Sequence, residues 1–144
     1  MVGEQVYTAS SLGELPAVAK AILEALEEEW VVCFWGGMGV GKTTLIAEIC
    51  RQLGVVGEVA SPTFALINVY NCCGGREIYH FDFYRIEAVQ DAWNIGAEEY
   101  LGQNLGLCLV EWPGVVESLL PEKRIDVHCR EMDGGTREFR IVRS

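Results

Sequence analysis

Gly36-Gly37-Met38-Gly39-Val40-Gly41-Lys42-Thr43, with Thr44 behind it, satisfies every fixed position of the pattern G-x-x-x-x-G-K-[ST]. The apolar run Val31-Val32-Cys33-Phe34-Trp35 leads into it. Leu45-Ile46-Ala47-Glu48-Ile49-Cys50-Arg51-Gln52-Leu53, with helical periodicity, follows. Strand, glycine loop and helix in that order make a phosphate-binding loop. Glycine at positions 36, 37, 39 and 41 lets the backbone approach a ligand closely and turn its N–H groups inward as an anion nest. The helix beginning near Lys42 adds its unpaired N–H groups. Lys42 brings a full charge to the β- and γ-phosphates, and the Thr43 hydroxyl is placed to ligate Mg2+.

Working outward, the Ser10–Glu14 stretch reads as a helix start, with Ser11 and Glu14 spaced as a capping box. Pro16 moves the expected first turn two or three residues later. Leu15, Val18, Ala19, Ile22, Leu23 and Leu26 share one apolar face, and Glu24 and Glu27–Glu29 crowd the far end as a solvated face. Val6–Ala9 reads as a short edge strand. Beyond the loop helix, Ala65–Tyr70 and Glu77–Phe81 alternate around the turn Asn71–Arg76, predicting an antiparallel hairpin. Weak helices are expected near Glu87–Trp93 and Ala97–Leu101. Leu107–Val110 is apolar on both faces, as a central parallel strand requires. A short helix over Val115–Leu120 is expected next. Ile125–Cys129 and Glu138–Val142, joined through Asp133-Gly134-Gly135, predict a C-terminal hairpin. The expected fold is α/β, a P-loop NTPase-like mixed sheet flanked by helices, in a single domain over residues 1–144.

A phosphate loop needs a facing acid at the end of a neighbouring strand. Asp82 ends one expected strand and Glu111 ends another, so both would project from the carboxyl edge of the sheet. Thr43, Asp82 and Glu111 are the expected Mg2+ neighbours, some through water. Thr63 lies where nucleotide switches keep a γ-phosphate-sensing threonine. His80 reads as a packed strand histidine. Arg85 is placed either to offset phosphate charge or to pair with Asp82, and Trp112 either to stack near a nucleotide or to pack.

The chain has 144 residues, a net charge of −10 and a pI near 4.6, a surface that repels nucleic-acid backbones. Any role on RNA would run through a partner. No run approaches a membrane span, and the N-terminus lacks the basic and apolar regions of a signal peptide, so a cytoplasmic protein is expected. Of the six cysteines, Cys33, Cys50 and Cys108 fall in apolar runs and read as small hydrophobes. Cys72 and Cys73 sit in a turn as an incidental pair, and no zinc spacing occurs.

Taken together, Gly36–Thr44, Ser61-Pro62-Thr63-Phe64, His80-Phe81-Asp82-Phe83-Tyr84-Arg85 and Val110-Glu111-Trp112-Pro113 resemble the bacterial TsaE (YjeE) family in order and separation, over nearly the whole chain. The resemblance implies an ATPase, weak alone, that works with TsaD and TsaB proteins to place threonylcarbamoyl on adenosine 37 of tRNAs reading codons that begin with A. ATP hydrolysis would reset the partner complex, and tRNA would be held only indirectly. It implies Thr43 and Glu111 on the metal side, Asp82 in the active site, Trp112 near the nucleotide and Ser11 beside the adenine. Lys42, Asp82 and Glu111 are then the catalytic set. The nucleotide would lie against Ser11, Gly37, Met38, Gly39, Val40, Gly41, Lys42, Thr43, Thr44, Thr63 and Trp112. Gly37 and Val40 depart from the family's usual acidic residue and alanine, both at variable loop positions. A small-molecule or nucleotide kinase is the alternative, although no basic lid segment follows the loop. A GTPase would need an N-K-x-D-type guanine reader, which the chain lacks.

Overall fold

Strand β2 (Val31–Trp35) forms the middle of the sheet because both of its faces are apolar and both are covered. In the computed structural model, which describes residues 3–37, 39–62 and 65–144, Val32 and Phe34 pack on one side and Val31 and Cys33 on the other. The first side is closed by α1 (Leu15–Ala25) and α2 (Lys42–Gln52), through Val18, Ile22, Leu45 and Ile49. The second is closed by α3 (Val89–Asn94) and α4 (Ala97–Gly102), through Ala92, Ala97 and Leu101.

The remaining strands are β1 (Gly3–Ala9), β3 (Ile67–Asn71), β4 (Glu77–Asp82), β5 (Leu107–Glu111), β6 (Ile125–Glu131) and β7 (Arg137–Arg143). They form one seven-stranded sheet in the order β1-β7-β6-β2-β5-β4-β3. β4, β5, β2 and β6 run parallel; β3 returns antiparallel on β4, β7 on β6, and β1 on β7. Both expected hairpins are present. The mixed α/β class follows from the alternation of two-residue and helical periods.

The parallel strands put their carboxyl ends on one edge. In register, Asp82 on β4 faces Glu111 on β5, and Phe34, one residue before the end of β2, also faces Glu111. The first residue beyond Trp35 must be glycine. Gly36 has φ 145°, and a Cβ there would lie 2.4 Å from the Cys129 carbonyl oxygen of β6. The loop is thus pressed against the sheet edge.

Local details differ from the sequence reading in three places. A 3-10 turn (Leu12–Glu14) precedes α1, and Ser11 makes no side-chain cap; Glu14 Oε2 instead accepts from the Ser10 N–H at 2.5 Å. The segment Pro113–Leu119 is 3-10 rather than α. The acidic run past α1 is not wholly a solvated face. Helix α1 ends at Ala25, Glu29 is buried, and its Oε2 accepts from Arg143 Nε at 2.9 Å.

Cys33, Cys50, Cys108 and Cys129 are buried free thiols. Burial raises all four, with Cys50, Cys108 and Cys129 at about 12, so they pack as inert hydrophobes. Cys72 is also a free thiol and packs against the core. No helix among the described residues is long and apolar enough to cross a membrane.

Candidate nucleotide site

Helix α2 begins at Lys42, directly behind Gly41, whose φ of 93° belongs to the left-handed region that favours glycine. The N-terminal N–H groups of α2 therefore open onto the cleft above the sheet edge. That cleft is a cavity of about 430 Å³ lined by the loop, by Asp82 and Glu111 at the strand ends, and by Ser61, Trp112 and Arg137.

The residues expected to act together are brought together. Thr43, in the first turn of α2, donates its hydroxyl to Glu111, with Oε1 at 2.9 Å and Oε2 at 3.1 Å. Glu111 is buried. Its second contact is His80 on β4, whose Nε2 lies 2.7 Å from Glu111 Oε2. Asp82 lies beside it with both oxygens occupied. Ser61 Oγ donates to Oδ2, and the Tyr84 N–H donates to Oδ1 at 2.9 Å. Asp82 thereby ties the Ser61 loop to the sheet edge.

Lys42 is buried, with Nζ donating to the Gly36 carbonyl at 2.6 Å and sitting 3.5 Å from the centroid of the Trp112 ring. Burial lowers the lysine's proton affinity, and the Glu111 carboxylate opposes that effect. Trp112 has φ 55°, a conformation that costs an L-residue about 1–2 kcal/mol. Tyr84 packs against Trp112 in a tilted arrangement, at 4.8 Å between ring centroids. The strain holds an aromatic face over the lysine at the mouth of the phosphate loop.

Gly39, Gly41, Thr44 and Arg85 line the cavity as well. Val40 is buried behind the loop, while Gly37 is exposed; neither lines the cavity. Ser11 is exposed and stands outside the cavity lining. Its neighbour Ser10 has Oγ 3.4 Å from Thr136 Oγ1, one residue from Arg137. Met38 and Thr63 lie outside the described residues.

Sequence reasoning missed Arg137. It starts β7 and reaches back over the loop, with Nη2 donating to the Gly39 carbonyl at 3.3 Å. Its Nε is buried and has no hydrogen-bond partner. An orphan donor beside α2's first turn fits an anion in the cleft. The chemistry of the donors also fits a hard cation. A hydroxyl and a carboxylate meet at Thr43 and Glu111, and oxygen donors of this kind suit Mg2+. Among the described residues no group of three or more His, Cys, Asp and Glu forms a metal cluster; of the expected cation neighbours, Thr43, Asp82 and Glu111 all line the cavity.

A family model, described as the threonylcarbamoyl adenosine biosynthesis protein TsaE, matches residues 9–139. The chain belongs to the TsaE family. Curated TsaE relatives agree. One, named as the tRNA threonylcarbamoyladenosine biosynthesis protein TsaE of Treponema pallidum, is 37% identical over 117 residues, covering 81% of this chain and 84% of the relative. The Bacillus subtilis protein of the same name is 36% identical over 127 residues, covering 88% and 77%. Among solved structures, the Bacillus subtilis YdiB crystal structure superposes with a TM-score of 0.75 at 28% identity, over 99% of this chain and 87% of that one. The TsaE model therefore spans both halves of the cleft, from Ser10 beside the first helix to Arg137 beside the glycine loop.

Proposed function

We propose that this chain is the ATP-hydrolysing subunit of the system that forms N6-threonylcarbamoyladenosine in tRNA. The observation that carries the reading is the contact between Thr43 and Glu111 beneath a complete phosphate loop. It joins a helix N-terminus suited to phosphate with a buried carboxylate suited to a cation.

ATP would lie with its phosphates in the glycine loop, bound by the α2 N–H groups, Lys42 and Arg137. Lys42 leaves the Gly36 carbonyl and the Trp112 ring to meet the β- and γ-phosphates. Thr43 and Glu111 would hold Mg2+. A bound Mg2+ neutralises phosphate charge and draws electrons from the γ-phosphorus. In hydrolysis a water oxygen bonds to the γ-phosphorus, the bond to the β–γ bridging oxygen breaks, and ADP and phosphate leave with the water's proton lost to solvent. Asp82 fixes the Ser61 loop against the site, keeping the cleft closed on that side. Trp112, packed against Tyr84, covers the Lys42 ammonium until phosphate draws it away.

The partners would be TsaD and TsaB proteins, with tRNA touched only through them. The net charge of −10 supports that indirect role, and the chain would act in the cytoplasm. Hydrolysis would reset the partner complex between rounds.

The test is competition of ATP and GTP for a fluorescent analogue, followed by ATP turnover with Mg2+, with and without TsaB and TsaD. ATP preference and partner-stimulated phosphate release are expected, both lost in Lys42→Ala. Preference for GTP, or stoichiometric phosphorylation of a small-molecule acceptor, would contradict the reading.

A further inference from the structure

His80 is fully buried on β4 and makes two side-chain contacts, neither of them with solvent. Nε2 lies 2.7 Å from Glu111 Oε2, and Nδ1 lies 3.0 Å from the Tyr70 hydroxyl. A neutral imidazole carries one proton, so its two nitrogens are not equivalent. The ionised carboxylate of Glu111 only accepts, which requires the proton on Nε2 and leaves Nδ1 to accept from Tyr70.

Tyr70 is placed to supply that hydrogen bond. Its hydroxyl has two acceptors within reach, His80 Nδ1 and the Ala60 carbonyl, each at 3.0 Å. The Ala60 carbonyl also receives Asn68 Nδ2 at 3.0 Å, so it stays hydrogen-bonded when the phenolic proton turns to His80. Burial pushes the phenol above its ordinary value, so it stays a donor. In the hairpin, Asn68 pairs with His80 and Tyr70 with Ile78, which makes Tyr70 and His80 a diagonal cross-strand pair. Long side chains span that separation.

We propose that His80 is a positioning residue for Glu111, held in the Nε2–H tautomer by Tyr70. A carboxylate free to turn would pair with Thr43 in several orientations. The Nε2–H anchors Oε2 and so fixes the oxygen pair that Thr43 and a cation share. Outer-shell partners that orient metal-binding groups act this way. The inference rests on the reading that Glu111 meets the cation bound with ATP.

The experiment uses the full chain and measures Mn2+ binding by electron paramagnetic resonance, in the presence of a non-hydrolysable ATP analogue. The same analogue is titrated by calorimetry without metal, and thermal unfolding checks the fold. His80→Phe keeps a ring in the core but removes the donor. It is expected to weaken Mn2+ binding by about 10-fold or more while leaving metal-free analogue binding unchanged. His80→Gln, which restores an N–H at the position facing Glu111, is expected to recover most of the loss. Tyr70→Phe, which removes only the hydroxyl, is expected to lose part of it and serves as the test even where His80→Phe does not fold. Mn2+ affinity unchanged in folded His80→Phe or in Tyr70→Phe would overturn the proposal, as would equal losses in folded His80→Gln and His80→Phe. Failure of the wild-type chain to bind Mn2+ with the analogue would instead remove the functional reading beneath it.

Discussion

Thr43 Oγ1 lies 2.9 Å from Glu111 Oε1 and 3.1 Å from Oε2, so the start of α2 and the end of β5 meet at one carboxylate. Thr43→Val keeps the shape of the side chain and removes the hydroxyl. A hydrogen bond to a charged group contributes about 1.5–3 kcal/mol, which sets the upper end of the stability loss. The larger effect falls on the cation. Nucleotide affinity measured with Mg2+ should drop to the value measured with a chelator, which itself should hardly change. Calorimetric titration under both conditions checks this.

The pairing of Lys42 with Trp112 predicts an optical signal. The ammonium sits 3.5 Å from the ring centroid and would leave it on meeting phosphate. Tryptophan emission should therefore change on addition of ATP or ADP. Of the chain's four tryptophans, replacing Trp112 with Phe should abolish most of that change. Stopped-flow fluorescence measures it directly.

Two neighbouring glycines should respond differently to the same substitution. In Gly36→Ala the new methyl meets the Cys129 carbonyl oxygen at 2.4 Å, backbone against backbone, and the left-handed φ adds strain. A loss of about 2 kcal/mol or more is expected, together with a displaced loop. In Gly37→Ala the methyl meets nothing within 4 Å, so stability should be unchanged or slightly raised. Chemical denaturation of the two variants provides the comparison.

The buried pair of Glu29 and Arg143 makes stability depend on acid. Burial alone would raise the Glu29 carboxyl, but the backbone N–H groups of Glu27 and Glu29 and the Arg143 guanidinium outweigh it and hold the group below its ordinary 4.5. A carboxyl depressed in the folded state stabilises fully above its unfolded value, and the contribution disappears as pH falls through the lower, folded value. Wild type should therefore exceed Glu29→Gln in stability by about 1.5–3 kcal/mol near neutral pH. The gap should close below the ordinary carboxylate range. Urea titrations across that range follow it.

What was legible in the sequence was whatever depends on local period and local order. β5 read as a central strand because Leu107–Val110 has no polar face, and Asp82 and Glu111 read as strand-end acids because each terminates an expected strand. That they face each other in register follows once both strands are parallel neighbours. Contacts between distant segments were not legible. Arg137 reaches Gly39 from across the sheet, and only its place at the start of the last alternating strand hinted at an edge position. Tyr70 and His80 meet because the hairpin register makes them diagonal partners, and a shift of one residue in that register would have parted them. Glu29 looked like one more surface acid because nothing nearby in sequence announces Arg143, which reaches it from the last strand. Ser11 had the spacing of a cap, yet the 3-10 turn gives the role of acceptor to Glu14, which takes the Ser10 N–H.

The central claim is that triphosphate hydrolysis at this loop sustains repeated rounds of tRNA modification. The most direct measurement is threonylcarbamoyladenosine formed per partner complex over time, in a reconstituted mixture of this chain with TsaB and TsaD from the same organism, alongside the same mixture made with Glu111→Ala. The account predicts continued rounds with the wild-type chain and arrest after about the first round with Glu111→Ala, although both bind the partners. Turnover by folded Glu111→Ala at the wild-type rate would contradict it.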